Sequence, residues 1–122
     1  MSSPHVVLPA LLLIGLSSAP GIQAADPSFS KSIGPLLATR CSKCHGATRQ
    51  KNDLRLDSAE AIRKGGKNGP VVVAGKPDDS PILVRTTRPP GDKDRMPAQG
   101  DLLSKEQTDL IRAWIVAGAK FD

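Results

Sequence analysis

Apolar positions follow a helical pattern most clearly near the end of the chain. Four side chains recur at the three- and four-residue spacing of one helix face: Leu110, Ile111, Trp114 and Ile115. Ser104, followed three residues later by Gln107, predicts a capping box at the start of this helix. Gly118 is a suitable stop at its end. The pattern therefore predicts an amphipathic helix between Ser104 and Gly118.

A second helix is predicted upstream, where Asp26-Pro27-Ser28 has the composition of a helix start. Apolar side chains then recur at helical spacing: Phe29, Ile33, Leu36 and Leu37. Gly34 and Pro35 interrupt this pattern because neither residue suits a helix interior. We therefore expect a helix that is kinked or begins late.

The middle of the chain predicts a short extended segment and a short helix. Leu54 and Leu56 place two apolar side chains two residues apart, as in an extended segment that faces a core. Asp57 and Glu60 then have capping-box spacing, which predicts a helix that buries Ile62. Glycines and a proline end this helix: Gly65, Gly66, Gly69 and Pro70.

Another short helix is predicted to begin at Pro81, which suits the first helical position. Asp79 or Ser80 would cap this helix, and we expect it to extend to about Thr87. Eleven Gly and eleven Pro favour long irregular connections, and no segment favours a sheet. The predicted fold class is all-α, with about four short helices joined by long loops.

The composition provides little apolar material for a core. The chain has 122 residues, enough for one domain, and its only aromatic residues are Phe29, Trp114 and Phe121. Small domains with weak cores usually need a disulfide, a metal or a bound prosthetic group. A large apolar cofactor would give such a chain a surface on which to pack.

The first residues predict a secretory signal peptide over residues 1–24. Residues 6–16 form an apolar stretch of the usual length for such a signal, too short to cross a bilayer as a helix. Ala24 and Ala25 offer small residues for cleavage, but no Lys or Arg precedes the apolar stretch. The alternatives are an apolar element of the domain and an uncleaved anchor. We expect a periplasmic or secreted domain over residues 27–119, without a membrane span after cleavage.

Every charged residue lies beyond that signal, so the formal net charge of +5 belongs to the mature protein. The charges are interspersed, and three aromatic residues are too few to stack bases, which disfavours nucleic-acid binding. A mildly basic surface favours docking to acidic protein partners or to anionic surfaces.

Cys41, Cys44 and His45 form the Cys-x-x-Cys-His pattern of c-type haem attachment. Two thiols one helical turn apart can add to the two vinyl groups on one edge of a porphyrin. The next residue then presents an imidazole to the iron. The pattern predicts one haem c, attached covalently through two thioether bonds, with His45 as an iron ligand.

Three other uses of these cysteines fit the sequence less well. A disulfide of the thioredoxin type belongs to a βαβ unit, which the chain lacks. A structural zinc site needs four N or S ligands, and the mature chain offers three: Cys41, Cys44 and His45. Two unrelated buried thiols are unusual in an oxidising compartment.

The second axial ligand is predicted by elimination. Without the signal, His45 is the only His and Met96 the only Met. Met96 lies in a charged loop, where an apolar side chain held by Pro97 is explained if it reaches the iron. The 50 residues between His45 and Met96 suffice to reach the opposite face of a macrocycle. The alternative is an exposed loop Met and a five-coordinate iron.

Two further placements concern the surroundings of the haem. A ligating His donates its second N–H to a carbonyl or similar group. The Asn68-Gly69-Pro70 turn is a candidate for that carbonyl, and an ordinary surface turn is the alternative. Trp114 is expected to pack the last helix against the first rather than to contact the haem.

These residues resemble a known family over nearly the whole mature chain. Its first half is matched by Phe29, Ile33, Pro35-Leu36-Leu37, Cys41-x-x-Cys44-His45-Gly46 and Leu54-Arg55-Leu56-Asp57. Its second half is matched by Gly65-Gly66, Gly69-Pro70, Gly75-Lys76-Pro77, Ser80-Pro81, Met96-Pro97, Leu103-Ser104, Glu106, Trp114-Ile115 and Gly118-Ala119. The chain is similar to the planctomycete-type cytochrome c domain, related to class I c-type cytochromes. The resemblance implies a small cytochrome c-like fold wrapped around one haem, attached to Cys41 and Cys44, with His45 and Met96 as axial ligands.

The expected function is one-electron transfer between redox partners, in which no residue acts as acid, base or nucleophile. Met/His ligation raises the reduction potential of such an iron. The alternatives are a haem-based sensor or peroxidase-like protein with an open sixth position, and a cytochrome subunit of a larger dehydrogenase. Peroxidase chemistry usually needs a base above the iron, and the mature chain has no second His for that role.

Overall fold

The computed structural model describes residues 1–16 and 26–122. Its regular structure is four α-helices: α1 (Gly34–Arg40), α2 (Ala59–Lys64), α3 (Pro81–Thr86) and α4 (Lys105–Val116). A π-helical turn, Phe29–Ile33, precedes α1, and 3₁₀ turns occupy Lys51–Asp53 and Pro77–Asp79. The described residues contain two isolated β-bridges and no strand. The prediction of an all-α fold with about four short helices is confirmed for this part of the chain.

The predicted signal peptide is only partly described. Residues 1–16 contain no helix or strand, and their large apolar side chains are exposed. The small residues at the predicted cleavage position, Ala24 and Ala25, lie outside the described residues. Within 1–16 and 26–122, no helix combines the length and the apolar character needed to cross a membrane. The signal peptide and the domain boundary at residue 27 stay predictions.

The interruption at Gly34 and Pro35 marks a change from π-helical to α-helical hydrogen bonding. Ser28 caps the π-helical turn, because its Oγ accepts the Lys31 N–H at 3.2 Å. The Ile33 N–H donates to the Ser28 carbonyl at 3.2 Å, a bond that spans five residues. Pro35 has no N–H, but it lies in the first turn of α1, where no intrahelical partner is required. The prediction of a helix that begins late is confirmed.

Helix α2 begins one residue later than its predicted cap. Its N-cap is Ser58, whose Oγ accepts the Ala61 N–H at 3.1 Å, so the predicted Asp57 cap is wrong. Asp57 instead forms an ion pair with Arg55 at 2.7 Å, and the hydrogen bond from Arg55 lowers the pKa of Asp57. Ile62 is buried as predicted, at 1% exposed.

Helix α3 has Pro81 in its first turn and Ser80 before it, as predicted, but the Ser80 side chain does not cap the helix. The buried Ser80 Oγ donates to the Lys76 carbonyl at 2.9 Å and accepts the Val73 N–H at 2.9 Å. These bonds hold the irregular chain before α3 against its first turn. In the same region, the Ile82 N–H donates to the Val71 carbonyl at 3.0 Å.

Helix α4 supplies the largest share of the core and follows its sequence pattern. The Ser104 Oγ accepts the Gln107 N–H and the Gln107 side chain accepts the Ser104 N–H, which confirms the capping box. The core consists of buried apolar side chains from the four α-helices, from the π-helical turn and from the segments beside α2 and α4. They are Ile33, Leu37, Leu56, Ile62, Ile82, Leu83, Leu103, Ile111, Trp114, Ile115 and Ala119.

The three aromatic residues form one cluster at the end of α4. Trp114 is 1% exposed, and its ring centroid lies 5.7 Å from that of Phe29 and 5.3 Å from that of Phe121. Its indole N–H donates to the Lys120 carbonyl at 2.9 Å. The prediction that Trp114 packs the last helix against the start of the first is confirmed, because Phe29 opens the π-helical turn that leads into α1.

Asp122 also ties the two ends of residues 26–122 together. Its carboxylate accepts the Ser28 hydroxyl at 2.5 Å and the Ser30 N–H at 3.1 Å. The hydrogen bond from Ser28, followed by that from the Ser30 backbone, lowers the pKa of Asp122 to about 2. The charged form of Asp122 therefore helps to hold Ser28, the residue that caps the π-helical turn, in place.

Candidate haem site

The Cys-x-x-Cys-His segment continues from α1 as a tight turn. The Cys41 N–H donates to the Leu37 carbonyl at 2.8 Å, which extends the hydrogen bonding of α1 by one residue. The N–H groups of Cys44 and His45 both donate to the Cys41 carbonyl, at 3.2 and 3.0 Å. The structure thus places the backbone of Cys41, Cys44 and His45 on a single turn.

The chain reverses direction directly after His45. The Gly46 N–H donates to the Arg49 carbonyl at 2.8 Å, and the Lys51 N–H returns to the Cys44 carbonyl at 3.0 Å. A Cβ at Gly46 would lie 2.3 Å from the Ser42 carbonyl oxygen, so only glycine fits this reversal without moving the backbone. The reversal places the Lys51 carbonyl beside the His45 ring.

Both cysteine thiols are free and partly buried. Burial raises the pKa of Cys41 to about 11, against a smaller opposing effect of the Arg40 charge. Cys41 is therefore a protonated thiol at neutral pH. A protonated thiol is the form that adds across a vinyl double bond as a complete S–H group.

The His45 ring is oriented by a backbone carbonyl. Its Nδ1 lies 3.1 Å from the Lys51 oxygen. Because a carbonyl can only accept, Nδ1 carries the proton and donates it, and in the neutral form of the ring Nε2 keeps its lone pair. This is the tautomer in which a histidine binds a metal through Nε2 while its other N–H is held by the protein. The carbonyl comes from Lys51 and not from the Asn68-Gly69-Pro70 turn, so the surface-turn alternative is favoured.

The Lys51 carbonyl belongs to a 3₁₀ turn with an uncommon backbone. Asn52 has φ of 56°, in the left-handed region that asparagine tolerates better than most residues. The Asn52 carbonyl accepts the Lys67 N–H at 2.8 Å. A Cβ at Gly66 would lie 2.8 Å from the Asn52 oxygen and 3.0 Å from Leu54 Cβ. The turn after α2 therefore packs directly against the turn that orients His45.

Met96 is half-buried in the loop between α3 and α4. Its N–H donates to the Arg85 carbonyl at 3.0 Å, which fixes the loop on the last turns of α3. Within the loop, Asp92 accepts the Asp94 N–H at 2.8 Å, and this bond lowers the pKa of Asp92. No hydrogen bond among the described residues joins Met96 to the turn that carries His45. The His45/Met96 pairing across a bound haem stays a prediction.

Two arginines near Met96 have buried nitrogens without partners. Among the described side chains, Arg88 Nε and Arg95 Nε are the buried polar atoms that make no hydrogen bond. Buried polar atoms almost always have a partner, so these nitrogens fit an anionic group bound beside the Met96 loop. Haem carries two propionate carboxylates. The two arginine Nε–H groups fit these carboxylates, and the lone pair of His45 Nε2 fits the iron. The residues present therefore fit the haem that the Cys-x-x-Cys-His pattern implies.

Arg40 links the cysteine turn to the chain that follows Met96. This last residue of α1 donates through Nη1 to Gln107 Oε1 at 3.2 Å, and through Nη2 to the Asp101 carbonyl. Gln107 is in the first turn of α4, and Asp101 lies in the loop before it. One guanidinium thus connects the segment that presents His45 with the segment that follows Met96.

A comparison with known protein families adds to this geometry. Residues 41–100 match the family Planctomycete cytochrome C. This segment is similar to the cytochrome c domain of that family. The match begins at Cys41 and extends past Met96, so it spans all four predicted haem residues. The resemblance inferred from the motifs is confirmed over residues 41–100, and the family suggests a haem-binding c-type cytochrome. The search of curated proteins and the search of solved structures gave no match.

The placement of the described side chains bears on the zinc alternative. In residues 1–16 and 26–122, no three His, Cys, Asp or Glu side chains form a group that could hold a metal ion. A structural zinc site needs four N or S ligands. The arrangement of side chains therefore gives the zinc alternative no support.

Sequence reasoning missed three features of this candidate site and its surroundings. The Lys51 carbonyl has no sequence signal, because every residue carries the same backbone acceptor. Arg88 and Arg95 are two of 17 Lys and Arg residues, and only the fold shows which guanidinium nitrogens are buried. For Arg95, the one available signal was its position next to the predicted ligand Met96.

Proposed function

We propose that this protein is a mono-haem c-type cytochrome that carries single electrons between redox partners outside the cytoplasm. The observation that carries the proposal is the match of residues 41–100 to a cytochrome c family over a segment whose His45 ring is already oriented for metal binding. Cys41 and Cys44 would hold the haem through thioether bonds, with His45 Nε2 and Met96 Sδ as axial ligands.

Attachment requires the two cysteines as reduced thiols, the form present in the structure. Each thiol would add its sulfur to one carbon of a vinyl double bond and its hydrogen to the other. The S–H bond and the π bond would be exchanged for one C–S and one C–H bond, so attachment through Cys41 and Cys44 would consume no oxidant. The hydrogen bonds from Cys44 and His45 to the Cys41 carbonyl hold both thiols on the turn that presents His45.

Bound haem supplies one-electron chemistry through the ferric and ferrous states of its iron. The protein's part is to hold the ligands and to set the potential. Lys51 holds the His45 ring through Nδ1, which makes Nε2 a better donor to the iron. A thioether ligand from Met96 raises the reduction potential relative to a second nitrogen ligand. No proton transfer by a side chain is needed.

The charge and the N-terminal pattern support the proposed location and partner class. The formal net charge of +5 favours association with acidic redox proteins, and such association is weakened by salt. The apolar residues 6–16 support export, which also suits a covalently held cofactor. A haem-based sensor, a peroxidase-like protein and a subunit of a larger dehydrogenase are the competing functions.

Optical spectra of the purified protein test the proposal. The ferric wild type should show the Met-to-iron charge-transfer band, and this band should disappear in Met96→Ala. The ferrous wild type should bind carbon monoxide slowly, and Met96→Ala should bind it fast. Leu102→Ala, which removes a partly exposed apolar side chain from the same loop region, is the matched control and should behave as wild type. Fast carbon monoxide binding by the wild type would instead support an open sixth position, as in a sensor or peroxidase.

A further inference from the structure

Arg95 has a buried donor that nothing in its own loop uses. Its Nε is buried and makes no hydrogen bond in the described part of the chain, although two carboxylates lie within three residues of it. Asp92 accepts the Asp94 N–H at 2.8 Å and contacts Arg88 at 3.4 Å. The Arg95 N–H itself donates to the Asp92 carbonyl at 3.1 Å. The loop is therefore ordered around Arg95 without satisfying its Nε.

Arg88, seven residues earlier, also has a buried Nε without a hydrogen-bond partner among the described residues. Its Nη1 makes a long ion pair with Asp92 at 3.4 Å, while its Nε is buried and unpartnered. Its side chain as a whole is 38% exposed, so the guanidinium lies at the boundary between the interior and solvent. Arg55 provides a comparison, because its side chain is also 38% exposed but its Nε donates to Asp57 at 3.0 Å. Exposure alone does not explain the free Nε of Arg88.

Buried guanidinium groups with free Nε–H bonds recognise carboxylates, because the planar fork matches two carboxylate oxygens. Both of these groups lie close in sequence to Met96, the predicted ligand. We infer that Arg88 and Arg95 bind the haem propionates, each with its free Nε–H as one of the donors. The inference rests on the proposed function, since it requires that the protein carries a haem.

This role would also affect the reduction potential. Each guanidinium compensates the charge of a propionate near the iron. If a guanidinium is removed, the uncompensated carboxylate stabilises the ferric form, which carries one more positive charge than the ferrous form. The potential should therefore fall, and by more than for the loss of Arg55, whose Nε and Nη2 are both already satisfied by Asp57.

The test uses the haem-loaded protein and four variants: Arg95→Gln, Arg95→Lys, Arg88→Gln and, as the matched control, Arg55→Gln. Spectroelectrochemistry gives the potential, and resonance Raman gives the propionate bending mode. We expect Arg95→Gln and Arg88→Gln each to lower the equilibrium constant for reduction about tenfold, which is about 59 mV for one electron. Both should shift the propionate mode. Arg55→Gln should change the constant less than twofold and leave the mode in place.

Arg95→Lys keeps the charge but lacks the planar fork. It should therefore shift the propionate bending mode, and it should lower the equilibrium constant for reduction less than Arg95→Gln does. If Arg95→Gln does not fold, the propionate mode of Arg95→Lys still tests the inference. The inference is wrong if the arginine variants match Arg55→Gln in potential and leave the propionate mode unchanged, as they would if water satisfied both Nε atoms. Failure of the proposed function looks different, because the wild type would then either carry no covalent haem or bind carbon monoxide fast in its ferrous form.

Discussion

The support of His45 by the turn after α2 yields a prediction that separates a site effect from a stability effect. Gly66→Ala would place a Cβ 2.8 Å from the Asn52 carbonyl oxygen and 3.0 Å from Leu54 Cβ. Both contacts are closer than ordinary van der Waals distances, and one partner is backbone, so the 3₁₀ turn must move. Overpacking of this kind costs about 1–3 kcal/mol in stability.

The same movement should loosen the hydrogen bond that orients His45. The Lys51 carbonyl lies one peptide away from the displaced Asn52 carbonyl and accepts His45 Nδ1–H at 3.1 Å, near the long end of the normal range. A hydrogen bond contributes about 1 kcal/mol net, so its loss should speed exchange of the His45 Nδ1 proton roughly fivefold. The assay is NMR of that proton in the ferrous protein, with denaturant unfolding measured in parallel.

Gly69→Ala is the matched control. Gly69 has φ of 100°, so an alanine there is strained, but its Cβ would meet nothing within 4 Å. The strain costs about 1–3 kcal/mol, which is comparable to the cost at Gly66. We expect both variants to lose stability and only Gly66→Ala to speed the exchange. Equal exchange rates in the two variants would refute the reasoning that the Gly66 contact holds the Lys51 carbonyl in place.

Two further predictions concern the aromatic cluster and Asp122. Trp114→Ala should lower the free energy of unfolding, measured by chemical denaturation, by about 3–5 kcal/mol. Val116→Ala, at a position that is 60% exposed, is the control and should lower it by less than about 0.5 kcal/mol. Similar losses of unfolding free energy in the two variants would contradict the packing described. Because the folded-state pKa of Asp122 is about 2 and lies below its ordinary value of 3.8, its stabilising effect is present above about pH 4 and is lost as the pH falls through 2. Asp122→Asn should therefore have a lower Tm than wild type at pH 6 and the same Tm near pH 2; a Tm difference that is independent of pH would contradict this role.

Local patterns predicted the elements whose hydrogen bonds are also local. Helix α4 follows from the helical spacing of its apolar residues and from the capping box of Ser104 and Gln107, both of which act within a few residues. The cap of α2 was misplaced because Asp57 and Ser58 are both good caps by composition. The choice between them depends on Arg55, which pairs with Asp57 and leaves Ser58 to begin the helix.

In the candidate haem site, too, the sequence predicted what depends on neighbouring residues and missed what depends on the fold. The turn of Cys41, Cys44 and His45 was predictable because the three residues are nearly consecutive. The partner of His45 was not, because it is a backbone carbonyl brought back by the reversal at Gly46. The burial of Arg95 Nε could not be predicted from the sequence either, because it depends on how the Met96 loop folds onto α3.

Covalent attachment of a haem to Cys41 and Cys44 is tested most directly by the intact mass of the purified protein under denaturing conditions, followed by peptide mapping. We expect one haem per chain, retained on the peptide that contains Cys41, Cys44 and His45. The double variant in which both cysteines are alanine should lose it. A wild-type mass equal to that of the polypeptide alone, or lighter by the two hydrogens of a Cys41–Cys44 disulfide, would contradict the account.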